Sequence, residues 1–226
     1  MAHEVYLKHT QTFIIGISGP RYWGELHEHN FTDIMYCPEK EEADQNEGTK
    51  IGNLAWIIYK QELAIANGIN MTHVPDIYLQ FDFPILLELD YAHITRETIK
   101  QIGAASNSNI VILIDFFISS AWRNKGIGKE VLINFIEQMK GKCGYIIILR
   151  NEPMQFGRLS DPDYEYAKPV TELDSLEKDP EKAQYKLNAF WQRCGFKLFK
   201  DYDNVFICNV EQAVPDYSKA VRTSVS

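Results

Sequence analysis

The chain has 226 residues, 45% of them hydrophobic, and a formal net charge of −8. That is enough apolar material for one large domain with its own core, and no uninterrupted apolar run reaches the ~20 residues of a membrane-spanning helix. The acidic balance argues against nucleic acid, which needs clustered cations, and suits a cationic partner such as an amine.

In chain order, "TFIIGIS" (12–18) reads as a first strand, closed by the Gly-Pro breaker at 19–20. "ELHEHNFTDIMYC" (25–37) alternates loosely and reads as a second strand. The charged "PEKEEADQNEGTK" (38–50) reads as an exposed loop. "IGNLAWIIYK" (51–60) reads as a third strand running into a short helix, "QELAIANG", that stops at Gly68. Residues 74–103 are read as two helices, the second starting near Thr95 and ending at Gly103.

"NIVILIDFFIS" (109–119) is a near-continuous apolar strand, expected to be central and covered on both faces. Leu132, Phe135, Ile136 and Met139 then fall on one helical face, and Gly141 closes that helix. "GYIIILR" (144–150) is another buried strand, so strand, helix and strand form a βαβ unit with parallel strands. The Pro- and acid-rich 151–182 reads as an inserted surface loop. "AQYKLNAFWQRCG" reads as a helix, "FKLFKDYDNVFICNV" (196–210) as a hairpin, and 211–226 as a tail.

The four cysteines, Cys37, Cys143, Cys194 and Cys208, form no CxxC pair, and "MAHEVYLKHTQ" holds no apolar leader core. A reduced, cytoplasmic protein with no membrane association and buried structural thiols is expected. "HEH" places His27 and His29 on one strand face, but no third ligand accompanies them, and no metal is expected.

The stretch that carries chemistry is "AWRNKGIGKEVL" (121–132), where a strand turns into a helix. The first helical N–H groups have no intrahelical acceptors, and the helix dipole makes that end positive. Gly126 and Gly128 remove side-chain bulk, while Arg123, Lys125 and Lys129 add charge. The turn therefore suits a phosphate or pyrophosphate. It lacks GxxxxGK[ST], and Val131 stands where a dinucleotide fingerprint needs its third glycine.

Arg123, Gly126 and Gly128 instead fit R-x-x-G-x-G, and "FWQRCGF" (190–196) follows on a later helix. Together these resemble the two signatures of the GNAT superfamily, the acyl-CoA-dependent N-acyltransferases, over about residues 109–210. "PMQFG" followed by "KLNAFWQRCGF" resembles a bacterial and phage branch of it. The resemblance implies a single mixed α/β (α+β) domain: a strongly twisted sheet flanked by helices, with a splayed strand pair binding CoA. Residues 1–108 would form the variable acceptor-side half and 109–210 the CoA-binding core. It also implies two helices between the first two strands, whereas the residues above place helices just before the motif strand.

Acetyl-CoA is then the implied cosubstrate, and an amine-bearing acceptor the partner, with a homodimer allowed. The backbone of Phe116, Phe117 and Ile118 would pair with the pantetheine arm. The pyrophosphate would sit on amides from Arg123 or Asn124 through Lys125, Gly126, Ile127, Gly128 and Lys129. Many members carry a tyrosine acid where this chain has Trp191, whose indole cannot donate a proton near neutral pH. Tyr185, earlier on that helix, is the substitute candidate for the acid. Asp115 interrupts the apolar strand beside the implied thioester and is the candidate base, with Glu88 and Asp90 as lesser ones.

Overall fold

A computed structural model describes residues 3–13, 27–38, 48–68, 100–149, 151–156, 170–199 and 204–213. Seven strands form one sheet: β1 (His3–Phe13), β2 (His27–Pro38), β3 (Thr49–Tyr59), β4 (Ile110–Ile118), β5 (Tyr145–Ile148), β6 (Lys197–Leu198) and β7 (Phe206–Asn209). Their order is β1-β2-β3-β4-β5-β7-β6. Every adjacent pair is antiparallel except β4–β5, so the sheet is mixed and mostly antiparallel. The helices are α1 (Gln61–Ala66), α2 (Ile127–Met139), α3 (Val170–Leu173) and α4 (Pro180–Arg193).

The parallel β4–α2–β5 unit forms as its pattern predicts, because both strands are apolar on both faces. Ile110 and Ile112 join a cluster with Ile57, Tyr145, Ile147 and Ile207. Val111 and Leu113 join another with Leu132, Phe135, Ile136, Met139 and Trp191. The amphipathic stripe of α2 lies on that second side, with Phe135 edge-on to Trp56 at 5.1 Å. Ile127 and Val131 extend the packing to Val5, Ile34, Ile51 and Ile118. One sheet thus runs through both sequence halves.

Two expectations need correction. The first strand was expected at 12–18, yet β1 occupies His3–Phe13 and overlaps it only at its end; residues 14–26 lie outside those described. "HEVYLKHTQTF" is an alternating strand, with Val5 buried and Lys8 exposed, rather than a continuous apolar run. The inserted loop was expected to reach 182, but α3 lies within it and α4 begins at Pro180. Asp179 caps α4, its side chain accepting from the Lys182 N–H at 3.1 Å, and Pro180 needs no acceptor in the first turn. Of the two helices expected at 74–103, only the last turn is described: Lys100–Ile102 are helical and the turn ends at Gly103.

The helix-to-loop junction at 102–106 is stitched to the end of β7. Asn209 Nδ2 donates to the carbonyls of Gly103 and Ala104 at 3.0 and 3.1 Å. The Tyr145 hydroxyl accepts from the Ala105 amide at 2.9 Å and donates to the Gly103 carbonyl at 3.1 Å. Glu211 takes the Ser106 amide and hydroxyl, which holds its carboxyl below the usual range.

Candidate functional site

The site is built where β4 leaves β5. The two strands pair only from Ile110↔Tyr145 to Ile112↔Ile147, after which β4 runs on to Ile118 with no β5 partner. The β3–β4 register also slips here. Ala55 faces Asp115 and Trp56 faces Leu113, so Ile114 is an extra residue, 48% exposed. A bulge of this kind turns neighbouring side chains and strengthens the local twist.

Backbone direction beyond the bulge follows from three observations. A Cβ on Gly52 would lie 2.1 Å from the Phe117 carbonyl oxygen, so that group faces β3. The Ser119 amide donates to the Ile51 carbonyl at 2.8 Å, also on the β3 side. The Ile118 carbonyl faces the other way and accepts from Arg123 Nε at 2.7 Å. Strand alternation then turns the Phe116 peptide groups into the opening beside β5. Of Phe116, Phe117 and Ile118, Phe116 alone offers both N–H and C=O there.

After β4, residues Ser120–Trp122 make one tight turn, and Arg123 donates its amide back to the Ser120 carbonyl at 3.3 Å. Asn124 and Gly126 then take positive φ values of 61° and 83°. Gly126 is the cap of α2, which starts at Ile127, and its carbonyl accepts from the Lys129 and Glu130 amides at 3.1 and 3.2 Å. The amides of Asn124, Lys125, Gly126, Ile127 and Gly128 have no acceptor among the described residues. Alternating backbone hands at a helix start make a concave set of donors suited to an anion.

The predicted loop residues divide accordingly. The Arg123 and Lys129 amides are taken within the chain, and the five between them are open among the described residues. The Arg123 side chain turns inward: it reaches the Ile118 carbonyl, the Glu172 carbonyl and the Ser175 hydroxyl, and lies 5.3 Å over the Phe117 ring. Burial lowers its pKa from the usual value and Glu172 opposes that shift. Lys125 is exposed, its ammonium 4.8 Å from the Trp122 ring centre.

Aromatic rings wall the first turn of α2. A Cβ on Gly128 would meet the rings of Phe190 and Phe116 at 3.5 and 3.6 Å, ordinary contact distances, so the chain's own packing does not demand glycine there. Phe116 and Phe190 lie parallel, 6.1 Å apart, with Trp191 behind them at 6.1 and 5.1 Å. Trp191 is 6% exposed, and its indole N–H donates to Asn151 Oδ1 at 2.7 Å. Asn151, 1% exposed just past β5, donates through Nδ2 to Asn188 Oδ1. Gln184 donates to the Asn151 carbonyl and to Asn188 Oδ1, both at 2.8 Å. Trp191 is thus tied into a buried polar network joining α4 to β5.

Asp115 is half-buried at the bulge, and Asn53 Nδ2 donates to its Oδ2 at 2.7 Å. Tyr185 is 76% exposed on α4 and is not brought to Asp115, Phe116 or the glycine loop by any described contact. Glu88 and Asp90 lie outside the described residues. His29 is buried on β2, and among the described residues no three His, Cys, Asp or Glu side chains gather as a metal site would need. Cys143, Cys194 and Cys208 are free and buried, and burial pushes each thiol up to about 12, so none of these three is a thiolate nucleophile.

Sequence reading missed Asn53, Asn151, Glu172 and Phe190. Phe190 had a signal, standing within "FWQRCGF"; the other three are polar residues whose roles come from partners 37 to 62 positions away. No protein-family model matches the chain, and no curated protein matches it.

Proposed function

We propose that the chain is an N-acetyltransferase of GNAT type, moving an acetyl group from acetyl-CoA to a primary amine of a small-molecule or peptide acceptor. One observation carries this: five amides, 124–128, with no acceptor among the described residues stand at the N-terminus of α2 where β4 parts from its parallel neighbour. The opening beyond the carboxyl ends of a parallel strand pair is where an elongated ligand fits. The diphosphate of CoA would take the amides, with Lys125 and the helix dipole adding favourable charge. The pantetheine arm would lie along β4 and pair with Phe116, as an added strand pairs with a sheet edge.

Transfer forms a bond from the amine nitrogen to the thioester carbon through a tetrahedral oxyanion, then breaks the carbon–sulfur bond. The attacking ammonium must first lose a proton, and Asp115, held by Asn53, is the carboxylate set nearest the opening on β4. The Phe116 N–H is the backbone donor on the oxyanion side. The thiolate leaves without help from Trp191, whose N–H is already given to Asn151. The three described cysteines, free and buried, suit a cytoplasmic enzyme.

That occupied indole also favours a second reading, a CoA-binding module of the same fold that performs no chemistry. Calorimetric titration with acetyl-CoA and with CoA tests the shared premise; no heat at millimolar ligand would sink both readings. Thiol release from acetyl-CoA across a panel of primary amines separates them, because turnover with any acceptor excludes the module.

A further inference from the structure

We infer that Glu172 is a positioning residue for the glycine loop, acting on it through Ser120 and Arg123. Its effect on a ligand rests on the CoA reading above; its effect on the loop does not.

Glu172 lies in α3, far along the chain from the loop it touches. Its Oε2 accepts from the Ser120 amide at 2.6 Å, the opening donor of the tight turn. The same oxygen is 3.6 Å from Arg123 Nη2. The Glu172 carbonyl accepts from Arg123 Nη1, as does the Ser175 hydroxyl at 3.1 Å. Through Nε the same guanidinium holds the last carbonyl of β4 at 2.7 Å. The side chains are 13% exposed for Arg123 and 26% for Glu172, so water competes weakly for the pair.

Three segments therefore meet at one guanidinium: the end of β4, the turn that presents the open amides, and α3. A planar fork of donors suits such a junction. The Arg123 Nη2 makes no hydrogen bond among the described residues but is buried, so this arginine offers little to an external anion. The signature arginine of the loop serves geometry here, and the amides with Lys125 serve charge.

The sign of one substitution separates this from the usual electrostatic expectation. If Arg123 gripped the diphosphate directly, removing the nearby Glu172 carboxylate would free the cation, remove a repulsive charge and tighten CoA binding. If Glu172 positions the loop, Glu172→Ala leaves the Ser120 amide without its acceptor and Arg123 without its ion pair, and weakens it.

The full chain and its Glu172→Ala and Glu172→Gln variants would be titrated with CoA, with hydrogen exchange followed at residues 119–129. Glu172→Ala is expected to weaken CoA by about tenfold, the scale of one charge-assisted hydrogen bond. It should speed exchange at Ser120, Trp122 and Arg123 while the β5 amides at 145–148 stay protected. Glu172→Gln keeps an acceptor for Ser120 and should restore most of both. Unchanged or tighter binding by Glu172→Ala overturns the inference, and so does a loss of protection spread equally to β5. If the unaltered chain binds no CoA, the enzyme reading falls instead. The exchange at 120–123 then decides the positioning role, upheld by a local rise and overturned by none.

Discussion

A side chain on Gly126 would meet no atom within 4 Å, yet its φ of +83° lies where a Cβ strains against its own backbone. Gly126→Ala is expected to cost about 1–2 kcal/mol in stability. It should weaken CoA further, because the amides on either side depend on that backbone hand; paired melting and titration measurements check both. Asp115→Asn keeps an oxygen for Asn53 and removes only the charge. Turnover is expected to fall by roughly 10²–10⁴, the range for a lost general base, with the CoA dissociation constant unmoved. Equal turnover in steady-state kinetics would remove Asp115 from the mechanism. Trp191→Phe leaves the stacking surface but orphans Asn151 Oδ1 in the interior. A stability loss of about 1–3 kcal/mol in urea unfolding is expected, the cost of a buried unsatisfied acceptor.

At the scale of elements, α2 holds the open amides in place because its apolar stripe is fully engaged. Phe135 is wholly buried against Trp56, so Phe135→Ala is expected to cost about 3–5 kcal/mol by denaturant unfolding. The elements that carry the site were legible because their periodicities are strong. "NIVILIDFFIS" is apolar at every step, and Leu132, Phe135, Ile136 and Met139 fall on one helical stripe. The first strand was not, because half-buried alternation in "HEVYLKHTQTF" is a weaker signal than the apolar run beside it. The start of α4 was hidden by its own cap: Asp179 and Pro180 read as turn residues until the Lys182 amide is seen on the Asp179 side chain.

At the scale of the whole molecule, the acidic chain joins two hydrophobic layers on one sheet, and three thiols lie in one of them. Burial raises Cys143, Cys194 and Cys208 to about 12, against an unfolded value near ~8.5. The folded state keeps protons that the unfolded chain gives up. Their contribution is complete below about pH 8.5 and is lost as pH rises toward 12. The melting temperature is expected to decline across that alkaline window, and less steeply in Cys208→Ala; a profile flat to about pH 11 would mean the thiols are not protected. Among the described residues no helix is long and apolar enough to cross a membrane.

The amino-acid order alone determined the parallel β4–α2–β5 unit, the covered faces of β4 over Ile110–Leu113 and the bare turn at Gly126 and Gly128, since each depends on neighbours within one or two turns of chain. Only the tertiary structure decided which amides stay open, which way Arg123 points, that Asn53 holds Asp115, and that Trp191 answers to Asn151. The last three outcomes are set mainly by hydrogen-bond partners 40 to 62 residues apart. Periodicity records which face of an element is apolar, whereas a polar side chain takes its meaning from the donor or acceptor that folding brings to it.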